Sequence, residues 1–488
     1  MKNNFTIFVR QIIIKLSTPN SALSQVSFVA GGTIIAQGLN VFILPIVSRI
    51  YSPGDYGLVA VYSSVIGILS ELSGLRYHLA IPLPKQKRYA DALVFLSLIT
   101  QIVFVGLVSI LLLISGDYIF NCISIEELIP YKYFIPIGIL LVGFYNIFTQ
   151  LSIRESLFST IGKTKISQCI SGSLAKIGLG MLGFKPLGLL IGGIIAQTTG
   201  TTTLWSAIVK KSGIPSFDKI NVRRVALRYR KFPIYSSLFG ILNTLGINMP
   251  QLFLSSFFNM QVTGLYSMAI ALLQVPSVFI GQALAQVFLQ RASSAKHSGN
   301  LKELVLKFYL ILLKLGFFPI IFISLFAPTI FTLILGERWM DAGKYAFLLS
   351  PWIAVAFVFS PISVLYGVQE RLEAGLITEI TYFSLRLGSM YIGLIVDSPY
   401  IAVGLFSLSG TLFLFFRMIE ILKSLGNRGP EILLKTIKII MLSLTLALSP
   451  YWLLSVGANN IIVFLLCILV TIIYLYDIYL TLKKNNIL

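Results

Sequence analysis

The chain has 488 residues, of which 56% are hydrophobic and only 11% charged, with a formal net charge of +20 and a mean hydropathy of +0.88. Soluble domains are far less apolar, so this composition excludes an ordinary water-soluble fold and requires lipid as solvent. Cys122, Cys169 and Cys467 stand singly with no CxxC spacing, which argues against a disulfide framework or a zinc site and leaves them as small packing residues.

Lys2, Arg10 and Lys15 precede the first apolar run with no compact apolar core and small-residue cleavage site, so no removable signal peptide is expected. A membrane-spanning helix takes about 20 mostly apolar residues. Fourteen such runs follow, at 24–48, 57–81, 92–115, 133–152, 166–183, 187–209, 233–256, 261–289, 304–327, 343–366, 374–396, 399–422, 435–456 and 460–482. Taking the N-terminus and every second loop as inside, with the helix ends that flank them, places thirty Lys and Arg residues on one side, the last being Lys483 and Lys484. The opposite loops hold five: Arg49, Lys132, Lys185, Arg338 and Lys344. Basic residues in short loops stay on the cytoplasmic side. Both termini are therefore expected in the cytoplasm, and the net charge reads as membrane topology, not as a nucleic-acid surface.

The longest basic loop, Lys210 to Lys231, carries Arg223, Arg224, Arg228 and Arg230. It divides the chain into an N-lobe at 1–209 with six spans, a basic linker at 210–232, a C-lobe at 233–422 with six more, and an additional helix pair at 435–482. An internal repeat supports this division. Ser48 to Gly57-Leu58 has the same spacing as Ser255 to Gly264-Leu265, at an offset of 207. Both matches close one apolar helix and open the next in the same membrane sense, the pattern of parallel transporter repeats.

Charges within spans cost about 2.5–3.5 kcal/mol each at a helix centre on insertion scales, so they face a cavity or a partner. Lys176, Lys314 and Arg386 lie in the fifth, ninth and eleventh spans, with Glu71 in the second and Glu379 in the eleventh. Two arrangements fit. Either Arg386 pairs with Glu379 two turns away while the lysines pack or snorkel, or the three cations line a cavity that holds an anionic headgroup. Glu71 and Glu379 are the candidates for ion coupling. Uncharged polar residues recur at helical spacing: Thr33, Gln37, Asn40 and Ser48 in the first span, then Ser237, Thr244, Asn248, Gln251 and Ser255 in the seventh. Gln274, Gln282 and Gln286 follow in the eighth. These stripes suit either one water-accessible cleft or hydrogen bonds between helices. Pro45 and Pro276 lie where they can kink long helices.

No cofactor is expected. Gly162-Lys163-Thr164 resembles the end of a phosphate-binding loop, but Leu157 occupies the position that needs its first glycine. The two histidines, His78 and His297, have no nucleophile or metal-ligand cluster beside them in the sequence. The predicted outer loops, of which Gly116 to Lys132 and Pro328 to Gly343 are the longest, are too short for a polymerase or ligase domain.

Arg49-Ile50-Tyr51-Ser52-Pro53-Gly54-Asp55-Tyr56-Gly57, followed by Leu75-Arg76-Tyr77-His78-Leu79-Ala80-Ile81-Pro82-Leu83-Pro84-Lys85, resembles the first hairpin of Wzx-type polysaccharide-unit flippases in the multidrug/oligosaccharidyl-lipid/polysaccharide superfamily. Gln274-Val275-Pro276 through Gly281-Gln282-Ala283 to Gln290-Arg291-Ala292 is similar to the same family. So is Gly336-Glu337-Arg338-Trp339 with Ala342-Gly343-Lys344-Tyr345. The resemblance spans most of the first ten helices. It departs at His78, where the family often has an acid. It implies an all-α inner-membrane protein with two six-helix lobes in a V-shaped, multidrug-exporter-like arrangement. The implied substrate is a polyprenyl-diphosphate-linked oligosaccharide flipped outward for O-antigen or capsule synthesis. Membrane lipids, a polysaccharide polymerase and a chain-length regulator are the implied partners, and Lys176, Lys314 and Arg386 the implied diphosphate site. An ion-coupled exporter of small molecules and a membrane glycosyltransferase or polymerase are the competing readings.

Overall fold

In the computed structural model, which describes residues 22–216, 219–277, 288, 292, 301–363, 365, 372–457 and 459–484, the regular structure is helical throughout. Contacts divide the chain into two compact units, Met1–Ser267 and Met268–Leu488. Ten of the described helices are long and apolar enough to cross a membrane. The predicted spans that fall short include the fifth, seventh and eleventh, which carry Lys176, the Thr244/Asn248/Gln251 stripe, and Glu379 with Arg386. Polar residues dilute these three helices. The eighth span is described as far as Ser277; its continuation with Gln282 and Gln286, and the motif beyond it, lie outside the described residues.

The first unit contains α1 (Ala22–Ile50), α2 (Pro53–Ser73), α3 (Lys87–Cys122), α4 (Phe134–Arg154), α5 (Phe158–Met181) and α6 (Leu187–Ser212). A short helix α7 (Lys219–Arg228), then α8 (Ser237–Phe257) and the opening of α9 (Met260–Leu273), complete it. The compact unit thus runs past the basic linker, because α8 packs along α2. Helix α3 extends to Cys122, beyond the predicted loop boundary at Gly116, and about half of its length exposes Ile and Leu side chains such as Ile110, Leu113 and Ile114. Apolar surface of this extent suits a lipid environment.

The first hairpin is specified locally. Ser52 is the N-cap of α2: its hydroxyl accepts from Asp55 N at 3.2 Å while Ser52 N donates to Asp55 Oδ2 at 2.8 Å, and Pro53 sits where no intrahelical N–H is needed. Tyr51, fully buried, donates its hydroxyl to the Lys176 carbonyl at 2.7 Å and so pins α5 to the same turn. Gly180 and Gly188 leave room for the Tyr51 ring, since a side chain at either would strike it.

Residues separated by the 207-residue offset meet within the first unit. A Cβ on Gly57 would overlap the Met260 carbonyl, and a Cβ on Gly264 would overlap the Pro53 carbonyl. The offset carries Pro53 onto Met260 and Gly57 onto Gly264, so the two contacts exchange under it.

The second unit is built on α10 (Leu301–Leu325), α11 (Ala327–Leu335), α12 (Met340–Ile362), α13 (Leu372–Ile395), α14 (Pro399–Ser424), α15 (Gly429–Ser455) and α16 (Asn460–Lys484). Helices α12 and α13 pack on α14, and α10 packs on α12, α15 and α16. The Gly336-to-Tyr345 motif forms the turn into α12. Gly336 takes φ 105°, Trp339 is fully buried, and Gly343 lets α12 approach the backbone of Ala327 and Pro328. The terminal pair is firmly attached: Tyr309 Oη and Thr436 Oγ1 lie 2.7 Å apart, and the Tyr474 ring stacks on Phe318 at 4.0 Å.

Candidate functional site

Polar groups within the first unit gather where α2 ends. The helix stops at Ser73, and Leu75 and Arg76 both adopt positive φ, 44° and 52°. That conformation is costly for residues with a Cβ and is held by its surroundings. It turns Arg76 back so that Nε lies 3.2 Å from Glu71 Oε2 and Nη1 donates to the Ser236 carbonyl at 2.8 Å. Thr244 Oγ1 donates to Glu71 Oε1 at 3.3 Å, and Asn248 Nδ2 bonds the Thr244 carbonyl at 2.9 Å. Gly240 makes room for the ion pair: a Cβ there would come within 2.6 Å of Glu71 Oε2. Gly67 likewise faces Asn248. The Glu71 carboxylate is therefore shared by α2, its trailing turn and α8.

The second span ends at Ser73, short of the 81 expected from the sequence, so His78 lies past it in the turn Tyr77–Ala80, facing Gly74. Burial, and then the nearby Arg76 guanidinium, lower its pKa to about 4, so the ring is neutral at physiological pH.

On the α1/α5 face, Cys169 Sγ donates to Asn40 Oδ1 at 3.2 Å and the Ala36 carbonyl at 3.4 Å. Lys176 follows two turns later on α5. It is half-buried, its stem is received by the surface that Gly192 leaves open, and among the described residues no carboxylate lies within ion-pair distance of its ammonium. Gln37 and Gln251 are half-buried, and Asn40 is exposed.

The cations of the second unit are differently placed. Lys314 Nζ lies 2.6 Å from Asp477 Oδ2 and donates to Thr481 Oγ1 at 2.9 Å, both on α16. Arg386 is 6% exposed, with its guanidinium 3.6 Å from the Phe406 ring centroid, 4.2 Å from Trp352 and 4.7 Å from Tyr382. Trp352 Nε1 donates to Tyr382 Oη at 2.6 Å and closes this box. These contacts link Lys314 on α10 to α16 and set Arg386 on α13 among rings of α12, α13 and α14. Glu379 is half-buried on α13, and Gln274 is exposed in the second unit. Sequence reasoning missed Asp477, an acid near the end of the last span, and the pairing of Glu71 with Arg76. The acid in an apolar run was a readable signal; the pairing depends on a backbone turn that no spacing rule reveals.

Residues 46–344 match the family described as polysaccharide biosynthesis protein. The chain belongs to that family. Among curated relatives, the lipopolysaccharide biosynthesis protein WzxC of Escherichia coli (strain K12) is 22% identical over 362 residues, covering 73% of this chain and 72% of that protein. Among solved structures, the lipid II flippase MurJ in an inward closed conformation superposes with a TM-score of 0.72 at 14% identity, covering 93% of this chain and 98% of the other. An inward-facing multidrug resistance MATE family transporter of the MOP superfamily gives 0.56 at 18% identity over 80% and 96%. At these identities the likeness establishes the fold, a helical membrane architecture shared with both transporters. It agrees with the fold class expected from the sequence.

Proposed function

We propose that this member of the polysaccharide biosynthesis family flips polyprenyl-diphosphate-linked oligosaccharide units across the inner membrane, from the cytoplasmic face outward, for O-antigen, capsule or a related glycan. What carries the reading is the coincidence of a glycan-biosynthesis family with a fold that follows a lipid II flippase over nearly its entire length. In this reading fourteen spans, both termini inside, form two lobes at 1–209 and 233–422 joined by the basic linker, with the 435–482 pair added. Lys176, which of the three intramembrane candidates is the one with neither a carboxylate partner nor an aromatic box among the described residues, is the diphosphate contact. Gln37, Asn40, Thr244, Asn248 and Gln251 of the first unit offer hydrogen bonds to sugar. Lobe rocking provides alternating access.

A second reading, an ion-coupled exporter, is favoured by one observation: Glu71 bridges α2 and α8, so its protonation or cation binding would loosen that contact. Cells lacking this chain and any other flippase separate the two. The flippase reading expects lipid-linked oligosaccharide to accumulate on the cytoplasmic leaflet and surface glycan to disappear. Normal surface glycan, with cation-dependent drug efflux lost, would favour the exporter.

A further inference from the structure

Away from the α2/α8 cluster, the first unit holds a cavity of about 640 Å³ between the loop after the second span and the short helix α7. Its size falls within the ~300–1,000 Å³ typical of small-molecule sites. Lys85, Arg224 and Arg228 line it together with Tyr89, Tyr229 and the exposed Leu83. No carboxylate lines it, and among the described residues none lies within ion-pair distance of these three cations. Arg224 and Arg228 stand one helical turn apart, where like charges repel. Arg228 also lies over the Tyr229 ring at 5.9 Å. An anion in the cavity would relieve that repulsion.

The walls are held in advance of any ligand. Arg154 donates to the carbonyls of Ile81, Pro84 and Lys85, which fixes the loop. Tyr77 Oη donates to the Ala226 carbonyl at 3.2 Å and, with buried Val225, ties α7 to the same core. Lys87 Nζ donates to the Ser212 carbonyl at 2.6 Å, and Asp91 Oδ2 accepts from both Ser216 N and Oγ at 3.1 Å. These bonds fasten the segment that leads into α7. Among the described residues, Arg154, Lys87 and Asp91 are thus engaged beside the cavity, while Lys85, Arg224 and Arg228 line it.

Leu83 is 58% exposed on the cavity wall, and Leu227 on α7 is 63% exposed. Exposed leucines beside a cationic cavity at the end of a spanning helix suit the boundary between headgroups and acyl chains. We propose that Lys85, Arg224 and Arg228 bind the phosphate of an anionic membrane lipid, at a site separate from the transported substrate's contact on Lys176. A soluble phosphate compound shares the chemistry, but the flanking leucines favour the lipid.

The test uses the purified full chain in phosphatidylcholine nanodiscs, titrated with a fluorescent short-chain phosphatidylglycerol. The expected result is saturable binding that falls at least tenfold in the K85Q/R224Q/R228Q variant. It should survive both in R223Q/R230Q, which removes basic residues off the cavity, and in K85R/R224K/R228K, which preserves charge. If the triple glutamine variant does not purify as a monodisperse protein, the three single substitutions of these exposed residues serve instead, each expected to weaken binding severalfold. Unchanged binding in the glutamine variants overturns the proposal, as does equal loss in R223Q/R230Q. Inorganic pyrophosphate binding as tightly as the lipid, and displacing it completely, would assign the cavity to a soluble phosphate and overturn the lipid assignment. Flux of lipid-linked oligosaccharide is measured in parallel, so failure here leaves the transport reading separately testable.

Discussion

Replacing Gly57 by alanine tests the reciprocal crossing directly. The added Cβ would lie 2.7 Å from the Met260 carbonyl carbon and closer still to its oxygen. Comfortable contact between carbons needs about 3.5–4.0 Å, so α2 and α9 must separate by about 1 Å. No rotamer change relieves a clash between a Cβ and a backbone carbonyl, and overpacking of this kind costs about 1–3 kcal/mol. Gly264→Ala should cost a similar amount, because its Cβ would sit 2.7 Å from the Pro53 carbonyl carbon. Once the helices have parted for one methyl, the second fits in the same gap. The double variant should therefore cost much less than the sum of the singles, a coupling of about 1 kcal/mol or more. Thermal unfolding of the four proteins in detergent gives the cycle. Thiol labelling of Met260→Cys, in a chain without the three native cysteines, reports the opening, and should accelerate roughly fivefold or more in either alanine variant. Additive losses with unchanged labelling would refute the reciprocal contact.

Three further outcomes follow from the same geometry. Asp477→Asn strands the Lys314 ammonium; with side chains 17% and 35% exposed, the loss should be roughly 1–2 kcal/mol, below the several kcal/mol of a fully buried pair. Lys314→Met with Asp477→Leu should recover stability and transport, whereas stable protein without transport would return Lys314 to the substrate path. Arg76→Lys should lower the melting temperature and loosen α2 from α8 at a cost of about 1–2 kcal/mol, because one ammonium cannot satisfy Glu71 and the Ser236 carbonyl in the fork geometry; wild-type stability would contradict this. His78 predicts a pH effect. Its folded pKa of about 4 lies below the ordinary 6.5, so the unfolded chain binds the extra proton between those values. Stability should fall by up to about 3 kcal/mol as pH drops from about 6.5 to about 4 and level off below. His78→Asn should flatten that part of the profile, and an unchanged slope would show that another group is responsible.

The helices were legible because apolar run length is a property of local sequence, and each of the fourteen runs overlaps a described helix. The Gly57/Gly264 repeat was legible as spacing, but composition does not say which helices touch, and the carbonyl contacts appeared only in three dimensions. Glu71 and Arg76 stand five residues apart, which on a continuous helix would place them on different faces. They meet because α2 ends at Ser73 and the next turn runs through positive φ. The neighbours of two of the three cations were hidden for a related reason. Asp477 sits in a span taken as an appendage, so Lys314 was left without the acid that the packing of α10 against α16 supplies. Arg386 finds three aromatic rings from α12, α13 and α14, a combination that no single helical stripe displays.

The most direct test of the central claim is translocation itself. Purified protein is reconstituted in vesicles carrying a fluorescent polyprenyl-diphosphate oligosaccharide, and access to an impermeant quencher is followed over time. Protein-dependent movement of the inner-leaflet pool is expected, lowered at least tenfold by Lys176→Gln without loss of folded protein. Vesicles in which the labelled lipid stays in its original leaflet, while the same protein exports a soluble cation, would contradict it.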